Sequence, residues 1–565
     1  MLTSTRRTAL FGALAGTGFL AARPSSSKTP LVRSSGPQSD AMAQLMARWT
    51  RPGKPGAAIT VSLEGACVFS EGFGAADLEN IAPVTPKTVF HVASLSKQFT
   101  AYAALILTAE GKLSLDEKVL KYLPEVRGAA RDLTLRHLLH HSGGLRDAYT
   151  LLEAGGWRSD DAVTDEQLRR MVYRQSGLNF KPGDRFQYNN SGYFLLAQIV
   201  ARVSAQPFPD FCLERIFIPL GMTDTRFNDD NQRIVTGRAN SYFSNGEGFE
   251  RAILNSMALG PTGLLTTSED LCRWAVAFEG KPGQTCAMKA MHEQLVLSDG
   301  TKHFYAMGQE RHLYNGLDTW SHGGRDAGFR AFLLRVPDQR FSVAVLSNTS
   351  AFDASRIAFA VADIYLVDKP GFVRPVAEQG EPDAARLQRY AGAYELFPGL
   401  IMLLATDGKT LSTTWLGDSH TRPLKALSPT TFLFDPEANI TLEFDPAEPG
   451  IPNGLKYRIS RNGVLDVRRL DLTEFDAASL DLSSYVGLYR SADLATEYEL
   501  LLDGGRLVAR HQRLSDIALY PYQTDLMHSF KAVFGRLAFQ RNMAGKITGF
   551  NMSGAVAEDL WFERV

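Results

Sequence analysis

Ser94-Leu95-Ser96-Lys97 places a hydroxyl and an amine three residues apart, where the pattern predicts a helix from Ser94 to Glu110 stopped by Gly111. Residues three apart share a helix face, so the Lys97 amine can approach the Ser94 hydroxyl. A serine hydroxyl is a poor nucleophile until a neighbouring base takes its proton. A lysine amine can be that base when burial disfavours its charged form. The pattern alone is unspecific, because Ser25 to Lys28 repeats it. Tyr188-Asn189-Asn190 is the one Tyr-x-Asn of the chain. Lysine charge can draw a phenol below its usual pKa and make it a proton shuttle, whereas an ordinary loop tyrosine packs its ring and bonds its hydroxyl to backbone. Trp320-Ser321-His322-Gly323-Gly324-Arg325 sets two glycines beside a strand, where a substrate backbone can approach closely. His141-Ser142-Gly143 repeats the His-x-Gly pattern, and His141 follows His137 and His140. That spacing could suggest a metal, but no acidic partner lies within a turn, so no metal is assigned.

Taken in this order, the three motifs resemble those of the penicillin-recognising serine hydrolases: class C β-lactamases, D-alanyl-D-alanine carboxypeptidases, related esterases and D-aminopeptidases. The resemblance extends to Phe90–Lys97, Leu135–Leu145, Pro219–Met222 and Gly263–Leu271, and covers nearly all of Ser39 to Leu366. It implies Ser94 as nucleophile, Lys97 as its activating partner, Tyr188 as general acid/base and Asn190 as a polar group touching the acyl chain. The implied oxyanion hole is the amide of Ser94 with that of Arg325, after Gly324. Amides aimed at a developing oxyanion contribute a few kcal/mol of transition-state stabilisation. His322 departs from the Lys-Thr-Gly usual in carboxypeptidases and β-lactamases of this family. A mostly neutral histidine binds a carboxylate less strongly than a fixed positive charge. The substitution points to esters, amides or peptides cleaved at the amino end. D-aminopeptidases of the family are similar twice over, with a histidine in the third motif and two small β-barrels after the catalytic domain.

The elements around the motifs fit an α+β fold. Ala57–Ser62 and Cys67–Gly72 read as a hairpin, Tyr193–Val203 as a helix, and Ala331–Val336 with Phe341–Asn348 as a second hairpin. After Pro370, Pro375 and Pro382 the chain turns to short alternating segments, with turn dipeptides at Asp407-Gly408, Asn462-Gly463 and Asp503-Gly504. Tyr390–Tyr394 answers to Tyr485–Tyr489, and Leu403–Gly408 to Leu500–Gly504, so one antiparallel domain is present twice. The expected architecture is a serine β-lactamase-like domain, combining an antiparallel sheet and helices with an all-helical region, followed by two lipocalin-like antiparallel barrels. The boundaries read 1–22 leader, 23–38 linker, 39–370 hydrolase domain, 371–385 linker, 386–478 first barrel and 479–565 second barrel.

The leader resembles a twin-arginine signal: Arg6-Arg7, a short apolar stretch from Ala9 to Ala22, then a Pro/Ser-rich segment. A periplasmic or secreted protein is the corresponding expectation. With 60 basic and 61 acidic side chains the net charge is −1, which removes bulk basic charge as a drive toward nucleic acid. No apolar run beyond the leader reaches the roughly 20 residues of a membrane span. The expected partner is a small-molecule or short-peptide substrate, with no cofactor, and a homodimer is allowed. Cys67, Cys212, Cys272 and Cys286 read as thiols, the alternative being one bridge with Cys272–Cys286 as the pair. The leading function is a serine hydrolase of the D-aminopeptidase type acting through an acyl-enzyme. A carboxylesterase or weak β-lactamase with the same site, and a non-catalytic penicillin-binding-like assembly protein, are the alternatives. No Gly-x-Ser-x-Gly elbow is present for an α/β-hydrolase.

Overall fold

The computed structural model describes residues 37–51, 53–126, 128–255, 258–279, 285–374, 380–435, 440–445, 450–458, 464–472 and 475–565. The leader, the Ser25–Lys28 motif, Pro375 and the Asn462-Gly463 turn lie outside them.

Alternating apolar residues build a six-stranded antiparallel sheet from β1 (Ala57–Leu63), β2 (Ala66–Phe73), β3 (Glu310–Tyr314), β4 (Leu317–Asp326), β5 (Phe329–Val336) and β6 (Phe341–Ser347), in the order β3-β4-β5-β6-β1-β2. Both expected hairpins form. Glu64 and Gly65, with φ of 54° and 80°, turn β1 into β2. Two positive φ values match the right-handed twist of paired strands. β6 is buried along its whole length, so both sheet faces are covered. Helices α1 (Pro37–Met46) and α6 (Ala354–Leu366) cover one face, receiving Ile59, Val61, Val343 and Val345. On the other face Thr60 donates to Ser268 across 2.8 Å, at the start of α5 (Ser268–Val276).

The helical region carries α2 (Ser96–Ala109), α3 (Ala148–Ala154) and α4 (Asn190–Ser204). α4 begins three residues before the expected start, because the Asn189 side chain accepts the Gly192 amide and caps it. α2 starts later than expected: Ala93–Leu95 forms a tight 3-10 turn, so Ser94 precedes the helix proper.

Of the two repeated units, the second is a closed eight-stranded barrel in which Tyr489 pairs with Arg564. The first is nearly closed. Its edge strands, Arg422–Pro423 and Lys425–Ala426, are consecutive in the chain, and between them the Leu424 amide donates to the Leu411 carbonyl at 2.8 Å. The repeat is deeper than its sequence landmarks. Tyr394 donates to the Tyr390 carbonyl and Tyr489 to that of Tyr485, and Arg469 and Arg564 lie against those same tyrosines. At the Asp503-Gly504 landmark the turn residues are Gly504 and Gly505, both at positive φ.

The two barrels are attached differently. One continuous core joins Phe99, Leu151 and Leu196 of the helical region to Tyr498, Phe534 and Phe562 of the closed barrel. The nearly closed barrel keeps a core of its own around Tyr394, Phe432 and Phe444. All four cysteines are thiols, with Cys272 buried and Cys286 exposed. Among the described residues no helix is long and apolar enough to cross a membrane.

Candidate active site

Ser94 sits in the 3-10 turn before α2, immediately after Ala93, which adopts φ 48°. A non-glycine residue in that region is strained and persists only where its surroundings enforce it. Ser96 supplies the enforcement: its hydroxyl donates to the Ala93 carbonyl at 2.6 Å and accepts the Leu264 amide at 3.1 Å. The turn leaves Ser94 partly exposed, while Lys97 one helical turn on is fully buried.

The Lys97 ammonium donates to Ser94 Oγ at 3.2 Å, Asn190 Oδ1 at 2.8 Å and the Pro261 carbonyl at 3.0 Å. Burial lowers its pKa to about 7, against the opposing pull of Asp147 and Asp326. The spacing of Ser94 and Lys97 thus does place amine and hydroxyl in contact, and it does so in a site where the amine loses its proton near neutrality.

Tyr188 hydrogen-bonds Ser94, and its ring lies 4.7 Å from the Lys97 nitrogen. The expectation that lysine charge draws the phenol down is not met. Burial pushes its pKa well above the ordinary value, outweighing the bond to Ser94, and Lys97 stands over the ring. Tyr188 is therefore a neutral phenol. Asn190, at the start of α4, is oriented by Asp147: its amide and Nδ2 both donate to Asp147 Oδ2, at 2.7 and 2.8 Å. With Nδ2 so engaged, Oδ1 must face Lys97.

β4 runs alongside the Ser94 turn. The approach requires Gly324, where a Cβ would lie 2.1 Å from the Val92 carbonyl oxygen. β3 stops at Glu310 opposite Ser321, so among the described residues the His322–Asp326 stretch has no strand partner on that side. Arg325 projects to solvent, and Asp326 is held by His91 at 3.1 Å and Thr262 at 3.3 Å.

His322 is buried within a directed chain of hydrogen bonds. The Asn189 amide can only donate, so at 3.1 Å it makes His141 Nδ1 the acceptor. His141 Nε2 then donates to the Tyr305 hydroxyl at 3.0 Å, and that hydroxyl meets His322 Nε2 at 3.3 Å. His322 Nδ1 donates to the Gly323 carbonyl at 2.7 Å. Burial takes the His322 pKa down to about 4; Glu310 opposes this and Lys97 adds to it. The His322 imidazole is therefore uncharged at neutral pH. The three histidines weighed for a metal have separate partners: His137 with Thr134, His140 with the Glu293 carbonyl and His141 with Tyr305.

Sequence reasoning missed Asp147, Tyr305 and Pro261, and weighed His141 only for a metal, not as the partner of Tyr305. Asp147 carried a legible signal as the cap of α3, where it accepts the Tyr149 and Thr150 amides. Tyr305 and Pro261 have none, because the contacts that bring them to Lys97 and His322 are long-range.

The family profile described as Beta-lactamase matches residues 39–366. A D-aminopeptidase of Gluconobacter oxydans (strain 621H) is 29% identical over 309 residues, 54% of this chain and 58% of the relative, so the match spans under two thirds of that relative's own length. A D-aminopeptidase of Cereibacter sphaeroides (strain KD131 / KCTC 12085) is 26% identical over 362 residues, 63% of this chain and 69% of the relative. Among solved structures, the octameric penicillin-binding protein homologue from Pyrococcus abyssi superposes with a TM-score of 0.54 at 23% identity, covering 76% of this chain and 99% of that one.

Proposed function

The chain belongs to the beta-lactamase family of serine hydrolases, and from that premise we propose that it is a D-aminopeptidase-like peptidase or amidase working through an acyl-enzyme on Ser94. One observation carries the mechanism: a buried amine with a pKa of about 7 in hydrogen-bond contact with a partly exposed serine hydroxyl. In the neutral form Lys97 takes the Ser94 proton as Oγ attacks the substrate carbonyl. The oxyanion forms at the amides of Ser94 and Arg325. Tyr188, a neutral phenol bonded to Ser94, gives its proton to the departing amine as the C–N bond breaks and recovers one from the Lys97 ammonium, which leaves both groups neutral in the acyl-enzyme. Water then attacks the ester along the reverse proton path, releasing the acid and restoring the serine.

The substrate class rests on His322. A buried, neutral imidazole with both nitrogens engaged offers no positive charge to a carboxylate, which favours amides and short peptides read from the amino end. The two D-aminopeptidases among the relatives support the same choice. Parallel assays with D-Ala-p-nitroanilide, p-nitrophenyl butyrate and nitrocefin test it. The expected result is turnover of the anilide, lost in Ser94→Ala. Strong nitrocefin turnover without anilide cleavage would replace this reading with a β-lactamase, and ester cleavage alone would replace it with a carboxylesterase.

A further inference from the structure

The closed barrel reaches the Lys97 amine through three hydrogen bonds. Its Val556 carbonyl accepts the Asp147 amide at 2.9 Å. The Asp147 carboxylate holds the Asn190 amide, and Asn190 Oδ1 holds Lys97 Nζ. The preceding residue anchors the same step. The Arg146 guanidinium, with its side chain only 5% exposed, pairs with Asp493 at 2.9 Å and donates to the carbonyls of Glu558 at 3.0 Å and Asp559 at 2.9 Å. Gln175 and Ser176 close the arrangement by bonding Asp493 as well.

We propose that the closed barrel is a working part of the active site: Asp493 and the 555–559 loop hold Arg146 and Asp147, and Asp147 fixes the Asn190 amide that aims Lys97 at Ser94. Arg146, Asp147 and Asp493 are positioning residues, and the proposal rests on the acyl-enzyme reading. A lysine on a four-carbon stem keeps one geometry only while its acceptors are fixed, and small misplacements of a reacting group are costly. Of the two carboxylates acting on Lys97, Asp147 is bonded to the barrel, and Asp326 is held by His91 and Thr262 among the described residues. The remaining neighbours are the rings of Tyr188 and Tyr193, at 4.7 and 5.6 Å, and the neutral His141 and His322.

The test uses the full-length chain and the rate at which a fluorophosphonate labels Ser94 across the pH range. Asp493→Asn is expected to lower the plateau rate by about tenfold or more without moving the midpoint near 7. Asp147→Asn is expected to lower the rate and also move the midpoint to lower pH, since it removes negative charge that favours the ammonium. Asp516→Asn, which breaks the exposed Arg510–Asp516 pair of the same barrel, is expected to label as wild type. If Asp493→Asn destabilises the fold, Ser176→Ala loosens the same carboxylate more gently and lowers the rate in the same direction. A wild-type rate in Asp493→Asn and Ser176→Ala, or a wild-type midpoint in Asp147→Asn, overturns the proposal. Hydrogen exchange gives a readout free of labelling: Asn190–Gly192 amides exchange faster in Asp493→Asn, and wild-type protection there also overturns it. Wild-type enzyme that is never labelled refutes the acyl-enzyme reading, and the exchange result judges the coupling separately.

Discussion

Tyr305 and His322 share a buried hydrogen bond of 3.3 Å, and through it the third motif is held in a defined state. The Tyr305 hydroxyl accepts from His141 and faces the unprotonated Nε2 of His322. Tyr305→Phe leaves both ring nitrogens without their partner, which costs about 1–3 kcal/mol in a buried setting. Urea unfolding should show a lower midpoint with an unchanged slope. The bond favours neutral His322, so its loss raises the pKa from about 4, while burial and Lys97 keep it below the ordinary 6.5. An NMR titration with an unmoved His322 midpoint would refute this role for Tyr305.

Acylation should follow the protonation of Lys97. Its ammonium form cannot take the serine proton, so the rate rises with pH through about 7 and levels off above it. Tyr188 adds no alkaline limb below its own titration, because burial places that well above the ordinary tyrosine value. Stopped-flow acylation against pH measures both, and a flat profile from pH 5 to 8 would exclude Lys97 as the base.

Charge at the third motif sets the response to carboxylates. His322→Lys is expected to raise acylation by carboxylate-bearing ligands such as fluorescent penicillin by about tenfold, or ~1.4 kcal/mol. The new like charge also lowers the Lys97 midpoint below 7. An unchanged rate of penicillin labelling would show that the carboxylate is recognised elsewhere.

Gly324 and Gly323 differ in what surrounds them. A Cβ at Gly324 lies 2.1 Å from the Val92 carbonyl oxygen, whereas one at Gly323 makes an ordinary 3.5 Å contact with Phe332. Gly324→Ala should therefore push β4 from the Ser94 turn, costing about 1–3 kcal/mol and about a hundredfold in acylation. Gly323→Ala should stay close to wild type. Equal effects in the two variants would contradict the close approach.

The contact of Ser94 with Lys97 and the two hairpins were legible because each depends on local order: a spacing of three residues, alternation along a strand, turn residues between strands. The duplicated barrel was legible for the same reason, since matching landmarks recur in the same order. Tyr188 was singled out only by the order of the three motifs and the resemblance they carry. Less was legible where burial decides. Nothing in Tyr188-Asn189-Asn190 shows that the phenol is held neutral, and the N-cap at Asn189 began α4 earlier than its apolar pattern did.

The sequence by itself determined which groups could react and in what order the chain presents them. Tertiary structure alone decided their state. It buried Lys97 until its pKa fell to about 7, and it set His322 in a chain of donors that begins 133 residues earlier, at the Asn189 amide. It also merged the second barrel, but not the first, into the core beneath the helical region. Protonation and positioning depend on solvent exclusion and on contacts between distant segments, and neither exists until the chain is folded.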